Sequence, residues 1–288
     1  MKRAIPGTLY ILIAATLWGT TGTSQALAPQ GVNPLTIGAA RILIGGLALI
    51  AIALLGGGFR QRARWSIGLV AGAAITTAAY QVLFFGGTRL AGVAVGTLVG
   101  IGSAPIFAGI LGAVFDRERL SRAWIIATAL ALVGCSLLVI STQSADDVNL
   151  WGVPLALGAG LSYALFTLFN KRLLADHRAD EVMAVSFGVG ALLLLPTLFF
   201  ASTGWIFTTG GLVVVLHLGL IATGLAYVCF GRGLQTVSVA TVGTLTLAEP
   251  LTAALLGVFV VGERLPVLGW VGVAVLFGGL AVLALRRN

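Results

Sequence analysis

One acidic residue, Glu249, stands well inside a long apolar stretch and directly precedes Pro250. A charge at the bilayer centre costs about 2.5–3.5 kcal/mol on insertion scales, so a carboxyl kept there usually faces the protein interior. Its chemistry could be binding of a substrate ammonium or exchange of a coupling proton. The alternative is structural, because a proline kinks a helix and frees backbone groups that a carboxyl could satisfy. Pro105 follows Ala104 in a similar stretch, so a predicted kink does not by itself require an acid.

Arg41 is the one basic residue placed clearly inside an apolar stretch. Its guanidinium could pair with a substrate carboxylate or with Glu249. A third interpretation is that the long side chain reaches the outer membrane interface while its apolar stem lies along the helix. The position of Arg41 near the start of its stretch favours this third interpretation.

Aromatic and amide side chains inside apolar stretches offer a second kind of binding chemistry. Small ligands are typically held in apolar pockets that contain a few placed polar groups. We therefore predict that these side chains, with Glu249, line a cavity and stack on or hydrogen-bond an amphipathic substrate. Ordinary packing between helices is the alternative. The candidates are Trp18, Tyr80, Gln81, Phe84, Tyr163 and Tyr227.

No constellation of catalytic residues is visible. The sequence has no Walker glycine–lysine loop, no nucleophile elbow and no histidine–cysteine spacing typical of a metal site. Cys135 and Cys229 stand in apolar runs and are predicted to be reduced and buried. We therefore predict a protein that is not an enzyme and that requires no cofactor or metal.

The stretches that position these residues are predicted to be membrane-spanning helices. Hydrophobic residues make up 58% of the 288 residues and charged residues only 9%, whereas a soluble domain carries roughly 25% charged residues. The net charge of +8 forms no continuous basic stripe, which argues against nucleic acid as a partner. A spanning helix needs about 20 apolar residues. The predicted spans are 5–27, 35–56, 65–86, 93–115, 122–141, 150–173, 182–202, 211–231, 238–261 and 267–285.

The basic residues are distributed unequally between the two ends of these spans. Of the 17 Lys and Arg residues, Arg89 and Arg264 fall on one side, Arg41 lies within a span, and all others fall on the opposite side. Because Lys and Arg are enriched in cytoplasmic loops, both termini are predicted to be cytoplasmic. The fold class is therefore an all-α polytopic membrane protein with ten transmembrane helices.

The second half of the sequence repeats the first at the offset that separates Gly7 from Gly152. We predict two five-helix repeats, 1–143 and 150–288, joined by an acidic linker at 144–149. Five is an odd number, so the halves enter the membrane from opposite faces. Such inverted repeats allow a central cavity to open to each side in turn; a stable bundle without exchange is the alternative. Further matches are Trp18 with Tyr163, Pro105 with Pro250, Gly112 with Gly257, Gly134 with Gly279, and Glu118-Arg119-Leu120 with Glu263-Arg264-Leu265.

These motifs resemble the EamA branch of the drug/metabolite transporter superfamily over essentially the whole chain. The segment 14–19, which ends in Trp18-Gly19, is similar to the opening of that branch. The spacing from each proline to its Glu-Arg-Leu triplet is also typical of it. The first and sixth spans lack the acidic exchange residue of small multidrug relatives, and a single intramembrane basic residue departs from the phosphate clamp of sugar-phosphate relatives.

The resemblance implies a secondary transporter of the bacterial inner membrane that exports small metabolites without ATP. Within that branch, the chain most resembles amino-acid exporters, including those for aromatic amino acids. Alternatives are a multidrug or purine-type exporter of the same fold, and a pore or lipid facilitator without alternating access. The expected partners are a small-molecule substrate and the lipid bilayer; substrate identity, ion coupling and oligomeric state stay open.

Overall fold

A computed structural model describes residues 5–26, 28–29, 32–60, 63–141, 149–200 and 203–285. Most of the predicted linker, 144–148, lies outside these residues. Within them the chain forms ten long helices and no strand. The helices are α1 (Gly7–Ala26), α2 (Pro34–Leu55), α3 (Ile67–Ala91), α4 (Val93–Phe115), α5 (Arg122–Ser141), α6 (Gly152–Leu173), α7 (Ala179–Phe199), α8 (Thr209–Thr236), α9 (Val239–Val261) and α10 (Val267–Ala284).

The helices have the length and composition of a polytopic membrane protein. In the described ranges, nine of them, α2 to α10, are long and apolar enough to cross a bilayer. The threonines that follow Trp18 make α1 more polar, but its 20 residues span about 30 Å at 1.5 Å per residue. The α1 helix packs against α8 and α9 within the bundle, so it serves as the tenth span.

Two helices are longer than predicted. The prediction ended the third span at Gly86, the first of two consecutive glycines, but α3 continues to Ala91. The glycines allow this extension, because Gly87 lies against the backbone of Ala156 and Gly152 lies against that of Ala91. The α8 helix likewise continues to Thr236, where the nitrogen of Val237 donates to the carbonyl of Gly233 at 3.0 Å.

The packing of the helices follows the sequence repeat. The equivalent helices α2 and α7 pack against each other, as do α5 and α10, and the contacts of α6 with α3 and α4 are matched by those of α1 with α8 and α9. The matched glycines Gly134 and Gly279 both lie in the α5–α10 interface, the first against the backbone of Leu276 and the second against that of Ala127. Small residues let helix backbones approach closely. The two halves therefore use the same surfaces in the same way.

Polar contacts join the two halves at the face that carries most of the basic residues, which we call the basic face. Arg172 forms an ion pair with Asp116 at 3.0 Å. The backbone nitrogen of Phe59 donates to Glu181 at 2.7 Å. The rings of Trp65 and His177 also stack, with their centroids 3.7 Å apart. These contacts close the bundle at its predicted cytoplasmic end.

Candidate functional site

Eight of the ten helices line a cavity in the middle of the bundle. The space within it that the centre of a water-sized sphere can reach is about 60 Å³. The lining residues come from α1 to α4 and from α6 to α9, and none comes from α5 or α10. The sequence-predicted residues among them are Trp18, Arg41, Tyr80, Gln81, Tyr163, Tyr227 and Glu249.

Trp18 is the centre of an aromatic wall of the cavity. Its ring meets that of Tyr163, its repeat equivalent, edge to face at 6.4 Å. It also contacts the rings of Tyr227 at 5.0 Å and Phe230 at 5.6 Å. Aromatic pairs of this kind contribute about 0.5–1.5 kcal/mol each beyond the area they bury. The wall is therefore a rigid surface on which an apolar or cationic part of a ligand could rest.

The two aromatic residues of α3 that the sequence analysis singled out differ in position: one lines the cavity and the other packs behind it. Tyr80 lines the cavity, and its ring stacks on that of Phe84 at 5.5 Å with an interplanar angle of 10°. Phe84 lies behind it, close to Gly100 of α4, and is the one predicted cavity residue that does not line the space. Gln81 lines the cavity and is 3% exposed.

The two intramembrane charges both face the cavity but do not pair with each other. In the described part of the chain, ion pairs within 4.0 Å are formed by Arg172 with Asp116 and by Arg178 with Asp180. Neither Arg41 nor Glu249 takes part in one. No hydrogen bond from a described residue reaches the Glu249 carboxylate, so the structural interpretation of this carboxyl gains no support from the geometry.

Arg41 lies at the cavity in the structure rather than along the lipid-facing side of α2. Its neighbours Ala39, Ala40 and Ile42 are all at most 3% exposed, so this part of α2 lies within the bundle, and Arg41 itself is half-buried. The Nε atom is buried and the residue lines the cavity. The start of α2 is thus covered by neighbouring helices rather than by lipid, which sequence position alone did not reveal.

Several buried polar atoms around the cavity have no hydrogen-bond partner among the described residues. They are the Trp18 Nε1, the Arg41 Nε, the Gln81 Oε1 and the Tyr163 hydroxyl. A buried polar group left without a partner costs about 1–3 kcal/mol. Four such groups around one cavity therefore indicate a place where water or a polar ligand completes the hydrogen bonds.

Irregular helix geometry positions the residues contributed by the second half. The α9 helix is interrupted at Thr246 and Leu247, just before Glu249 and Pro250. In contrast, α4 runs through Pro105 as a continuous helix. The break lies beside the cavity, where irregular backbone is tolerated because it does not face lipid.

A π-helical segment in α8, His217–Leu225, ends just before Tyr227. It leaves the Thr223 hydroxyl bonded to the carbonyl of Leu218 at 2.8 Å. A π turn inserts an additional residue and so shifts the face that the following residues present. Near its start, His217 contacts the Thr20 hydroxyl of α1 at 2.9 Å.

The cavity also contains residues that the sequence reasoning missed. Thr76 and Thr77 donate to carbonyls of their own helix, a common arrangement for threonine in transmembrane helices, and no pattern singled them out. Phe166 and Phe187 are typical core residues in sequence. Thr246 and its repeat equivalent Ile101 both line the cavity, but neither has a charge or an aromatic ring that would have singled it out in sequence. The described residues contain no cluster of histidine, cysteine or acidic side chains that could hold a metal.

The chain is similar to known transporters over nearly its whole length. The model of the EamA-like transporter family matches twice, at residues 5–140 and 150–285. YwfM, an uncharacterized transporter of Bacillus subtilis (strain 168), is 45% identical over 276 residues, which cover 96% of this chain and 93% of the relative. The threonine/homoserine exporter RhtA of Escherichia coli (strain K12) is 26% identical over 264 residues, covering 91% of this chain and 85% of RhtA.

A solved crystal structure of 22% sequence identity superimposes with a TM-score of 0.83 and covers 96% of this chain and 95% of the other. At this identity the likeness concerns the fold alone. The fold of ten helices therefore has an experimental counterpart over nearly its full length.

Proposed function

Because this chain belongs to the EamA-like transporter family and is a multi-pass protein of the bacterial inner membrane, we propose that it exports amino acids by alternating access. The substrate would bind in the central cavity as a zwitterion. Arg41 would bind its carboxylate and Glu249 its ammonium group. The observation that carries this proposal is that both charges line one cavity and that neither forms an ion pair with a described residue.

The charge pattern of the cavity selects between classes of substrate. An ionised group inside a membrane protein is costly unless it is paired. A zwitterion offers one anion and one cation close together, so it neutralises both side chains at once. A cationic drug would pair only with Glu249, and a carboxylic or phosphate anion only with Arg41. Either would leave one buried charge without a partner.

The aromatic wall supports the same class. Trp18, Tyr163 and Tyr227 present ring faces and edges that can contact a substrate side chain and the ammonium group, since a cation over an aromatic ring is attracted by about 0.5–2 kcal/mol. The named activity of RhtA, export of threonine and homoserine, lies in this class. Its substrates are polar, however, whereas the wall described above also suits aromatic amino acids.

The experiment is counterflow of radiolabelled amino acids into proteoliposomes, with competition by blocked analogues. An amino-acid methyl ester lacks the carboxylate, and an N-acetyl amino acid lacks the ammonium group. A hydrogen bond to a charged group contributes about 1.5–3 kcal/mol, so each analogue should compete roughly 10- to 100-fold less well than the parent. Saturable counterflow is itself required, since a pore would not show it.

Two variants test which side chain binds the group that each analogue lacks. In Arg41→Gln the preference for the amino acid over its methyl ester should disappear, while the preference over the N-acetyl form persists. Glu249→Gln should give the opposite result. Arg89→Gln and Asp176→Asn alter exposed charges remote from the cavity and serve as controls. Unchanged preferences in both cavity variants would refute the zwitterion proposal.

A further inference from the structure

The repeat brings two glutamates, Glu118 and Glu263, to equivalent places at opposite membrane faces. Each follows the helix that carries its proline, in the short segment after α4 or α9. The nitrogen of Glu118 donates to the carbonyl of Gly112 at 2.9 Å, and that of Glu263 donates to Gly257 at 3.0 Å. In both cases the carboxylate occupies the space where a side chain on that glycine would stand. The local geometry of the two residues is therefore the same.

Their environments differ. The Glu118 carboxylate accepts hydrogen bonds from the backbone nitrogens of Val239 at 2.7 Å and Ala240 at 3.1 Å, in the first turn of α9. A carboxylate is stabilised there because the first amides of a helix lack partners and carry partial positive charge. Trp124 adds a bond from its Nε1 to the carbonyl of Ala240 at 2.9 Å. The first half thus holds the start of α9 at the basic face.

Glu263 has no such partner. It is exposed, and no hydrogen bond from a described residue reaches its carboxylate. The repeat offset identifies the amides that correspond to those of Val239 and Ala240. They belong to Ala94 and Val95, in the first turn of α4. That helix starts after Gly92, and no side chain caps it. At the basic face, a glutamate carboxylate is hydrogen-bonded to the first amides of a helix. At the opposite face, the equivalent carboxylate and the equivalent helix start are both present but are not bonded to each other.

The contact between α4 and α9 shows the same asymmetry. Near the basic face, Gly243 of α9 lies against Ala108 and Pro105 of α4. The repeat offset converts the pair Gly243 and Ala108 into Leu98 and Ala253, nearer the opposite face, where α4 does not pack closely against Ala248–Leu256, the segment of α9 that carries Ala253. The structure thus represents the state in which the basic face is closed.

We propose that Glu118 and Glu263 are two alternating latches of the transport cycle, the first holding α9 at the basic face and the second holding α4 at the outer face. The structure shows the first latch closed and the second open. When the cavity opens to the cytoplasm, Glu118 releases α9 and the Glu263 carboxylate accepts from the amides of Ala94 and Val95. This inference rests on alternating access in the proposed function but not on which substrate is carried.

The test is oxidative cross-linking between Leu98→Cys and Ala253→Cys in a background with Cys135→Ala and Cys229→Ala. This pair should approach only when the outer face is closed. Glu118→Gln weakens the basic-face latch and should raise the cross-linked fraction. Glu263→Gln removes the outer latch and should lower it. Charge at a helix start supports shifts of roughly two- to fivefold in each direction.

Opposite shifts from two equivalent substitutions separate a latch from general damage to the fold. The Glu263 side chain is exposed and accepts no hydrogen bond from a described residue in this state, so Glu263→Gln should leave thermal stability unchanged while it slows transport. Arg264→Gln alters the adjacent exposed charge and should change neither readout. Shifts in the same direction, or no shift in folded Glu263→Gln protein, would overturn the proposal. Cross-linking needs no substrate, so this result is independent of the amino-acid assays.

Discussion

Replacement of Trp18 separates its packing role from its binding role. The side chain is 6% exposed and makes three ring contacts, with Tyr163, Tyr227 and Phe230. At about 0.5–1.5 kcal/mol per contact, Trp18→Ala should lose about 1.5–4.5 kcal/mol from these pairs alone. That agrees with the loss of about 3–5 kcal/mol usual when a buried Trp or Phe is truncated to Ala.

Trp18→Phe tests the binding role at a smaller cost in packing. It keeps a ring in the wall but removes the Nε1 atom, which has no partner among the described residues. If that atom donates to the substrate, KM should rise roughly two- to tenfold, since a neutral hydrogen bond contributes about 0.5–1.5 kcal/mol. Maximal flux and thermal stability should change little.

The assays are thermal unfolding of the purified protein and initial flux in proteoliposomes at matched protein levels. Trp270→Ala is the control, because Trp270 is 42% exposed and has one ring contact, with Phe259 at 6.5 Å. Equal destabilisation by Trp18→Ala and Trp270→Ala would refute the aromatic wall. An unchanged KM in Trp18→Phe would assign Trp18 to packing alone.

Three further outcomes are expected. Glu249→Gln should lower initial flux and flatten its pH dependence, because acid protonates the wild-type carboxylate and weakens its bond to an ammonium group; equal pH profiles would remove Glu249 from the mechanism. Gly134→Ala should destabilise the protein by about 1–3 kcal/mol through overpacking, whereas Gly278→Ala, with no atom nearby, should be neutral or stabilising in thermal unfolding. Asn170→Ala leaves the Ser186 hydroxyl without its 2.7 Å partner and should lower stability by about 1–3 kcal/mol; an unchanged melting temperature would contradict that account.

The spans could be predicted from sequence because the bilayer imposes a simple physical rule. A helix must stay apolar for about 20 residues, and the structure has helices at all ten predicted places. The repeat offset also relates Trp18 to Tyr163, and the rings of these two residues are in contact in the structure. Both arguments use only length, polarity and symmetry, which are properties of the chain itself.

Other features depend on packing and could not be predicted. The direction of the Arg41 side chain is decided by which neighbours cover the start of α2. The π-helical segment before Tyr227 has no residue type that marks it in sequence. The break at Thr246 does have one, because Pro250 lacks the N–H that would bond the Thr246 carbonyl, whereas α4 continues through Pro105.

The difference between the two halves at the cavity has a consequence for its chemistry. Ala104 occupies the place that corresponds to Glu249, and Ser186 the place that corresponds to Arg41. A chamber assembled from two identical polypeptides would hold every ionisable group in duplicate, facing its own copy across the axis. Fusing the copies into one gene product let each half diverge, so that a single acid and a single base could share the enclosure. Recognition of a zwitterion, whose two ends carry opposite charges, therefore depends on the sequence difference between the two repeats.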